Sequence, residues 1–182
     1  MCLLKECPVT KQQRYCCAGR GFTLIELIVV MAIIGIAAMI AIPSFRGFTD
    51  SSNVTSATND LVSALNLARS EAVTRATNVT VCKSADQASC TTAGNWEQGW
   101  IIFVDANGDN DATDAGEMII RVYSGPDGST TMVGNTNVAN RLTYASTGFF
   151  SGVFNGTIAV SSGNRTLNIV TSNTGRVRTE RP

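Results

Sequence analysis

Four arginines crowd the last eighteen residues, where Arg165, Arg176, Arg178 and Arg181 are set against Glu180 and the terminal carboxylate, for a local net charge of +2. If residues 176–178 are extended, strand alternation places Arg176 and Arg178 on one face about 7 Å apart, a spacing suited to neighbouring phosphates. Gly175, just ahead of them, would let the backbone come close to a ligand. The competing reading is a solvated edge strand whose arginines discourage sheet-to-sheet pairing.

A second group of chemically capable residues is the run Asp105, Asn107, Asp109, Asp111, Asp114 and Glu117, whose oxygens could suit calcium. A calcium loop starting at Asp105 wants glycine at 110 and glutamate at 116, where Asn110 and Gly116 stand. The plainer reading is a solvated hairpin loop turning at Asn107-Gly108, so no metal is assigned, with Asp105, Asn107 and Asp109 as the weak candidates. Trp96, Trp100 and Phe103 could stack bases, but aromatics this close to a strand run belong more often to a core.

Histidine is absent, which removes the commonest general base and metal ligand. Without a serine nucleophile motif or a phosphate loop either, the expectation is a protein with no catalytic residue and no cofactor. Cysteines split into Cys2, Cys7, Cys16 and Cys17 near the start and Cys82 with Cys90 far beyond. If the body is exported, the latter two could close a short loop worth about 2–3 kcal/mol; otherwise they are two free thiols.

The remaining isolated group is Glu26, the one charge in the nineteen-residue apolar run Leu24 to Ile42. A helix of that length spans about 30 Å of hydrocarbon. A carboxylate there typically costs a few kcal/mol, and the nearest downstream base, Arg46, is twenty residues on. Its partner must come from another chain or from a newly created terminus. Residues 1–21 carry +3 (Lys5, Lys11, Arg14 and Arg20 against Glu6) although the whole chain is neutral. Basic residues before the run keep the N-terminus cytoplasmic and send the body outward. No small-residue cleavage site of the ordinary secretory kind follows the run.

Gly21-Phe22-Thr23-Leu24-Ile25-Glu26-Leu27, followed by the apolar run and Pro43, resembles the prepilin processing motif of type IV pilins and pseudopilins. The resemblance implies cleavage between Gly21 and Phe22 by a prepilin peptidase, N-methylation of Phe22, and pairing of Glu26 with the terminal amine of a neighbouring subunit. The leader of twenty-one residues is longer than is usual for the family. Leu65-x-x-Ala68-Arg69-Ser70-Glu71-Ala72, Trp96-x-x-Gly99-Trp100-x-x-Phe103 with Asp105, and Gly175-Arg176-Val177-Arg178 sharpen the likeness toward the GspH/FimT branch of minor pilins and pseudopilins. In that family a Gly-Arg-x-Arg ending resembles the DNA-binding element of minor pilins used in natural transformation. The implied function is therefore a minor pilin that binds extracellular DNA without sequence preference. The alternative is a structural pseudopilin of a type II secretion system, or a pilus-initiating minor pilin, that does not bind DNA. The implied partners are other pilin subunits and minor pilins, the prepilin peptidase, the inner membrane and DNA.

These residues need elements to position them. Ala57, Leu61, Ala64, Leu65, Ala68 and Ala72 recur at helical spacing, giving an apolar stripe beyond Pro43, which should kink the helix without ending it. Strand patterns follow at 79–82, 100–104, 118–123, 142–144, 157–160 and 166–170, separated by Gly, Asn, Asp and Ser. The expectation is an α+β, pilin-like chain: a long N-terminal helix, transmembrane then amphipathic, packed on an antiparallel β-sheet domain. Its divisions are a leader at 1–21, a membrane or filament-core half-helix at 22–48, an amphipathic half at 49–77 and a β-rich globular domain at 78–182.

Overall fold

The computed structural model describes residues 22–126 and 128–182, so the leader and Gly21 lie outside the described residues. Helix α1 runs from Leu24 to Arg75 and continues through Pro43, as its pattern predicts. Its start is chemically marked: the Thr23 hydroxyl oxygen accepts from the backbone N–H of Glu26 at 3.3 Å, and Glu26 stands in the first turn. That is half of a capping box, and the helix dipole favours a carboxylate there by a few tenths of a kcal/mol.

The chain divides into two compact units, 1–41 and 42–182. In the first, the described residues form helix whose large apolar side chains, Leu24, Ile28, Ile33 and Met39 among them, are exposed. Among the described residues this is the one helix long and apolar enough to cross a membrane. An all-round apolar helix left uncovered requires lipid or other subunits around it.

In the second unit, the later part of α1 buries Val54, Ala57, Leu61, Ala64, Leu65, Ala68 and Ala72, which includes every residue of the predicted stripe. Two antiparallel four-stranded sheets enclose that stripe. The first comprises β1 (Val79–Lys83), β2 (Gly99–Val104), β3 (Ile119–Ser124) and β5 (Arg141–Tyr144) in the order β3-β2-β1-β5. The second comprises β4 (Thr131–Gly134), β6 (Gly156–Ser162), β7 (Arg165–Thr171) and β8 (Val177–Glu180) in the order β4-β6-β7-β8. The strand patterns pointed to a single sheet; the domain instead closes its core with two.

The shared core joins the helix stripe to Val81, Ile102, Leu142 and Tyr144 of the first sheet and Met132, Ile158, Val160 and Ile169 of the second. β1 and β2 are buried on both faces, because Cys82, Ile101 and Phe103 form a second small cluster beneath Ala112 and Cys90. Continuous apolar runs such as Trp100 to Val104 are the sequence form of such doubly covered strands. Polar contacts join the sheets. The Trp96 indole N–H donates to the Val138 carbonyl at 2.9 Å, and the Glu97 carboxylate accepts from the Met132 N–H at 2.8 Å.

Candidate functional site

The C-terminal arginines are set by the β7–β8 hairpin. Arg178 stands opposite Val170 and Val177 opposite Thr171, so β8 is an edge strand of the second sheet. Val177 packs toward the core, whereas Arg176 and Arg178 are exposed. They share the outward face, as alternation predicts, and line one shallow cleft of about 320 Å³ with Val170, Ser172 and Thr174. Arg178 Nε approaches Glu180 Oε2 at 3.3 Å, so an exposed ion pair offsets part of the charge on this face.

Arg165 and Arg181 are not brought to this face. Arg165 shares its strand parity with the inward Ile169 and Thr171. With Arg181 it lines a separate cleft of about 330 Å³ against Ser51, Val54 and Thr55 of α1. The four arginines therefore form two pairs on different surfaces.

Gly175 has a different role from the close ligand approach read in the sequence. It closes the turn between β7 and β8, donating its N–H to the Ser172 carbonyl at 2.8 Å with φ at +74°. A Cβ there would press on the Gly148 carbonyl and the Tyr144 ring. Its own carbonyl accepts from Arg69 Nη1 and from the Tyr144 hydroxyl, each at 3.4 Å. Burial pushes the Tyr144 phenol up, against the opposing charge of Arg69. Sequence reasoning placed Arg69 in a motif but missed this contact, because it crosses 106 residues.

The acidic loop joins β2 to β3. Carboxylate oxygens of Asp105, Asp109 and Glu117 lie within 4.8 Å of one another. The Asn107 amide donates to Asp109 and Asp114, both at 2.9 Å. Asp105 is fully buried, accepting from the Thr80 hydroxyl at 2.7 Å, and Thr80 in turn meets Thr143 at 2.8 Å. It is a core anchor. Asn110, at the position where a calcium loop wants glycine, adopts φ of +68°, which asparagine tolerates. Glu117 accepts from the Ala106 N–H at 2.9 Å, while its Oε2 is buried without a partner. Burial, reinforced by the charges of Asp105 and Asp109, pushes its carboxyl up.

Cys82 and Cys90 are joined, with Cα atoms 5.6 Å apart. Within the loop they close, Asp86 lies well below the usual carboxylate range because the Ser89 hydroxyl and nearby N–H groups donate to it. Lys83, lowered by burial, donates from Nζ to the Gly94 carbonyl at 2.7 Å. Trp96, Trp100 and Phe103 are at most 1% exposed, which makes them core residues, and Trp100 stacks on Tyr123 at 5.5 Å.

At the N-terminal end, Phe22 is 83% exposed, and Glu26 has no ion-pair partner among the described residues.

Comparison with known proteins locates these features. Residues 57–175 match the family profile "Type II transport protein GspH", and residues 18–42 match the "Prokaryotic N-terminal methylation motif". A fimbrial protein of Pseudomonas aeruginosa is 52% identical over 56 residues, 31% of this chain and 36% of that protein. A fimbrial protein of Dichelobacter nodosus is 38% identical over 104 residues, 54% of this chain and 60% of that one. The chain thus spans only about a third to three-fifths of the length of these relatives. The crystal structure of the Pseudomonas aeruginosa type IV minor pilin FimU shares the fold at a TM-score of 0.57 and 23% identity, over 73% of this chain and 92% of that one. Because the family match extends over more than half the chain, and the methylation motif precedes it at 18–42, this protein belongs to the GspH family.

Proposed function

We propose that the chain is a pilus subunit that presents Arg176 and Arg178 to extracellular DNA during natural transformation. A prepilin peptidase cuts between Gly21 and Phe22, and Phe22 is N-methylated. Residues 22–48 hold the subunit in the inner membrane, with the N-terminus cytoplasmic and the body outside. In the filament, Glu26 pairs with the terminal amine of a neighbouring pilin. Residues 49–77 and 78–182 form the helix and β-domain of the displayed body.

The observation that carries the DNA reading is the exposure of Arg176 and Arg178 together at the start of β8, the edge strand of the second sheet. Contacts of this kind are phosphate-directed and independent of sequence. Each subunit binds weakly, and display of several copies in a filament supplies avidity. The Arg178–Glu180 pair favours a second reading, a structural pseudopilin or assembly-initiating minor pilin without DNA contact.

Two measurements test the proposal. Mass spectrometry of sheared filaments should find this chain beginning at N-methylated Phe22, and transformation frequency should drop in an Arg176→Gln/Arg178→Gln strain whose filaments are intact. Absence of the chain from filaments would remove the subunit assignment. Unchanged transformation would leave the structural reading.

A further inference from the structure

We infer that Cys90 is the sulfur through which a dithiol oxidoreductase opens and closes the Cys82–Cys90 bridge in the folded domain, with Cys82 as the sulfur that leaves or returns. The two cysteines differ in access. Cys82 lies on β1 between β2 and β5, is 1% exposed and packs with Ile101, Phe103 and Ala112. Cys90, in the loop that follows β1, is only partly buried. Both border one cleft of about 180 Å³, whose walls include Thr91, Asp109 and Arg141.

Thiol–disulfide exchange proceeds by attack on one sulfur from the side opposite the sulfur that leaves, so access decides which of the two is attacked. Attack on Cys82 would have to come through the packed strands and the small apolar cluster. Attack on Cys90 comes from the loop side, which meets solvent. The incoming thiolate therefore forms its new S–S bond to Cys90 Sγ. The Cys82–Cys90 bond breaks, and its electron pair leaves on Cys82 Sγ, which takes a proton from water. Closing runs backward: Cys82 gives up that proton, its thiolate attacks Cys90 Sγ of the mixed disulfide, and the oxidoreductase thiolate departs. Across both steps, two electrons and two protons pass between this cysteine pair and the dithiol of the oxidoreductase.

Arg141 stands directly across from Cys82 on β5 and is exposed. Cross-strand partners share a face, so its guanidinium lies on the side where charge develops on Cys82, and a nearby cation favours a thiolate. Asp109, the one carboxylate on this cleft among the described residues, opposes that effect. Its oxygens already accept from the Asn107 amide and the Asp111 N–H, both at 2.9 Å.

The loop has other attachments that hold it when the bridge opens. The Thr91 N–H donates to the Lys83 carbonyl at 2.9 Å, and Lys83 Nζ donates to the carbonyls of Thr92 at 3.2 Å and Gly94 at 2.7 Å. On the other side of Cys90, Asp86 accepts from the N–H groups of Ala88 and Ser89. Both thiols stay within reach of each other, as a reversible bridge requires. An oxidising compartment rests on the outward orientation proposed above; the choice of sulfur does not.

The test is brief exposure of the oxidised full chain, in detergent, to reduced glutathione, followed by acid quench and peptic mapping, which separates these adducts from any on the four cysteines near the start. Glutathione should sit on Cys90 over Cys82 by about tenfold or more, as expected where access selects the sulfur. The preference should vanish in guanidinium chloride. Arg141→Gln should slow opening about fivefold, the scale of one exposed opposite charge, and Asp109→Asn should speed it. Glutathione on Cys82, equal labelling of the two, or a preference that survives denaturation would overturn the assignment. A native bridge that glutathione leaves closed while opening the denatured one would overturn it as well. Equal rates in wild type and Arg141→Gln would remove the role of Arg141. None of these results bears on Phe22 methylation, filament incorporation or DNA binding, so failure here is distinguishable from failure of the pilus-subunit reading.

Discussion

The guanidinium of Arg69 donates to the carbonyl of Gly175 at 3.4 Å, tying the long helix to the turn that launches the Arg176–Arg178 strand. The Tyr144 hydroxyl meets the same oxygen, so helix, first sheet and hairpin turn converge on one atom. The orientation of the exposed arginines depends on a contact made on their inner side.

Gly175→Ala should destabilise the domain by about 1–3 kcal/mol, because alanine meets both an unfavourable φ and a backbone carbonyl. Arg69→Ala should cost about 1 kcal/mol through the lost hydrogen bond. Urea titration followed by circular dichroism checks both. If the turn sets the arginine face, each variant should also weaken DNA binding although Arg176 and Arg178 are retained.

Breaking the Cys82–Cys90 bridge by Cys82→Ser/Cys90→Ser should cost about 2–3 kcal/mol. Cys82 belongs to the small cluster with Ile101 and Phe103, so the serine hydroxyl adds a desolvation penalty there. A denaturation midpoint identical to that of the oxidised wild type would show that the bridge constrains nothing.

Trp96→Phe keeps an aromatic ring in the core but leaves the buried Val138 carbonyl without its donor. A loss of about 1–3 kcal/mol is expected, measurable by chemical denaturation.

Glu117 gives a pH dependence of definite sign. Its folded-state carboxyl titrates above the ordinary 4.5, mainly because of burial, so the folded chain holds a proton that the unfolded chain has released. Stability from this group therefore falls as pH rises from about 4.5 through the raised value, and the penalty is complete above it. Glu117→Gln should be more stable than wild type at neutral pH in metal-free buffer. That advantage should vanish below pH 4.5, as thermal melts across the range would show.

The helix was legible because Ala57 to Ala72 repeat at its period, and six strands were legible from their apolar and β-branched runs. β4 was not, since Thr131–Gly134 is four residues long and buries only Met132 fully, and β8, Val177–Glu180, equally short and mostly exposed, was read only as a conditional extended segment. The division into two sheets was hidden because alternation assigns faces within a strand but not which strands pair. The same limit governs the site. The common face of Arg176 and Arg178 follows from period two alone. The separation of Arg165 and Arg181 depends on the β7–β8 pairing and on the helix that walls their cleft. Asp105 read as no more than a weak ligand candidate because its loop is acidic, while its anchoring by Thr80 requires the pairing of β1 with β2.

The most direct test of the DNA proposal is a salt series of DNA binding by the full chain in detergent, beside Arg176→Gln/Arg178→Gln. Binding should weaken by about two decades in affinity per decade of salt for two phosphate contacts, be indifferent to DNA sequence and disappear in the variant. Binding that is unchanged by the two substitutions, or absent at low salt, would contradict it.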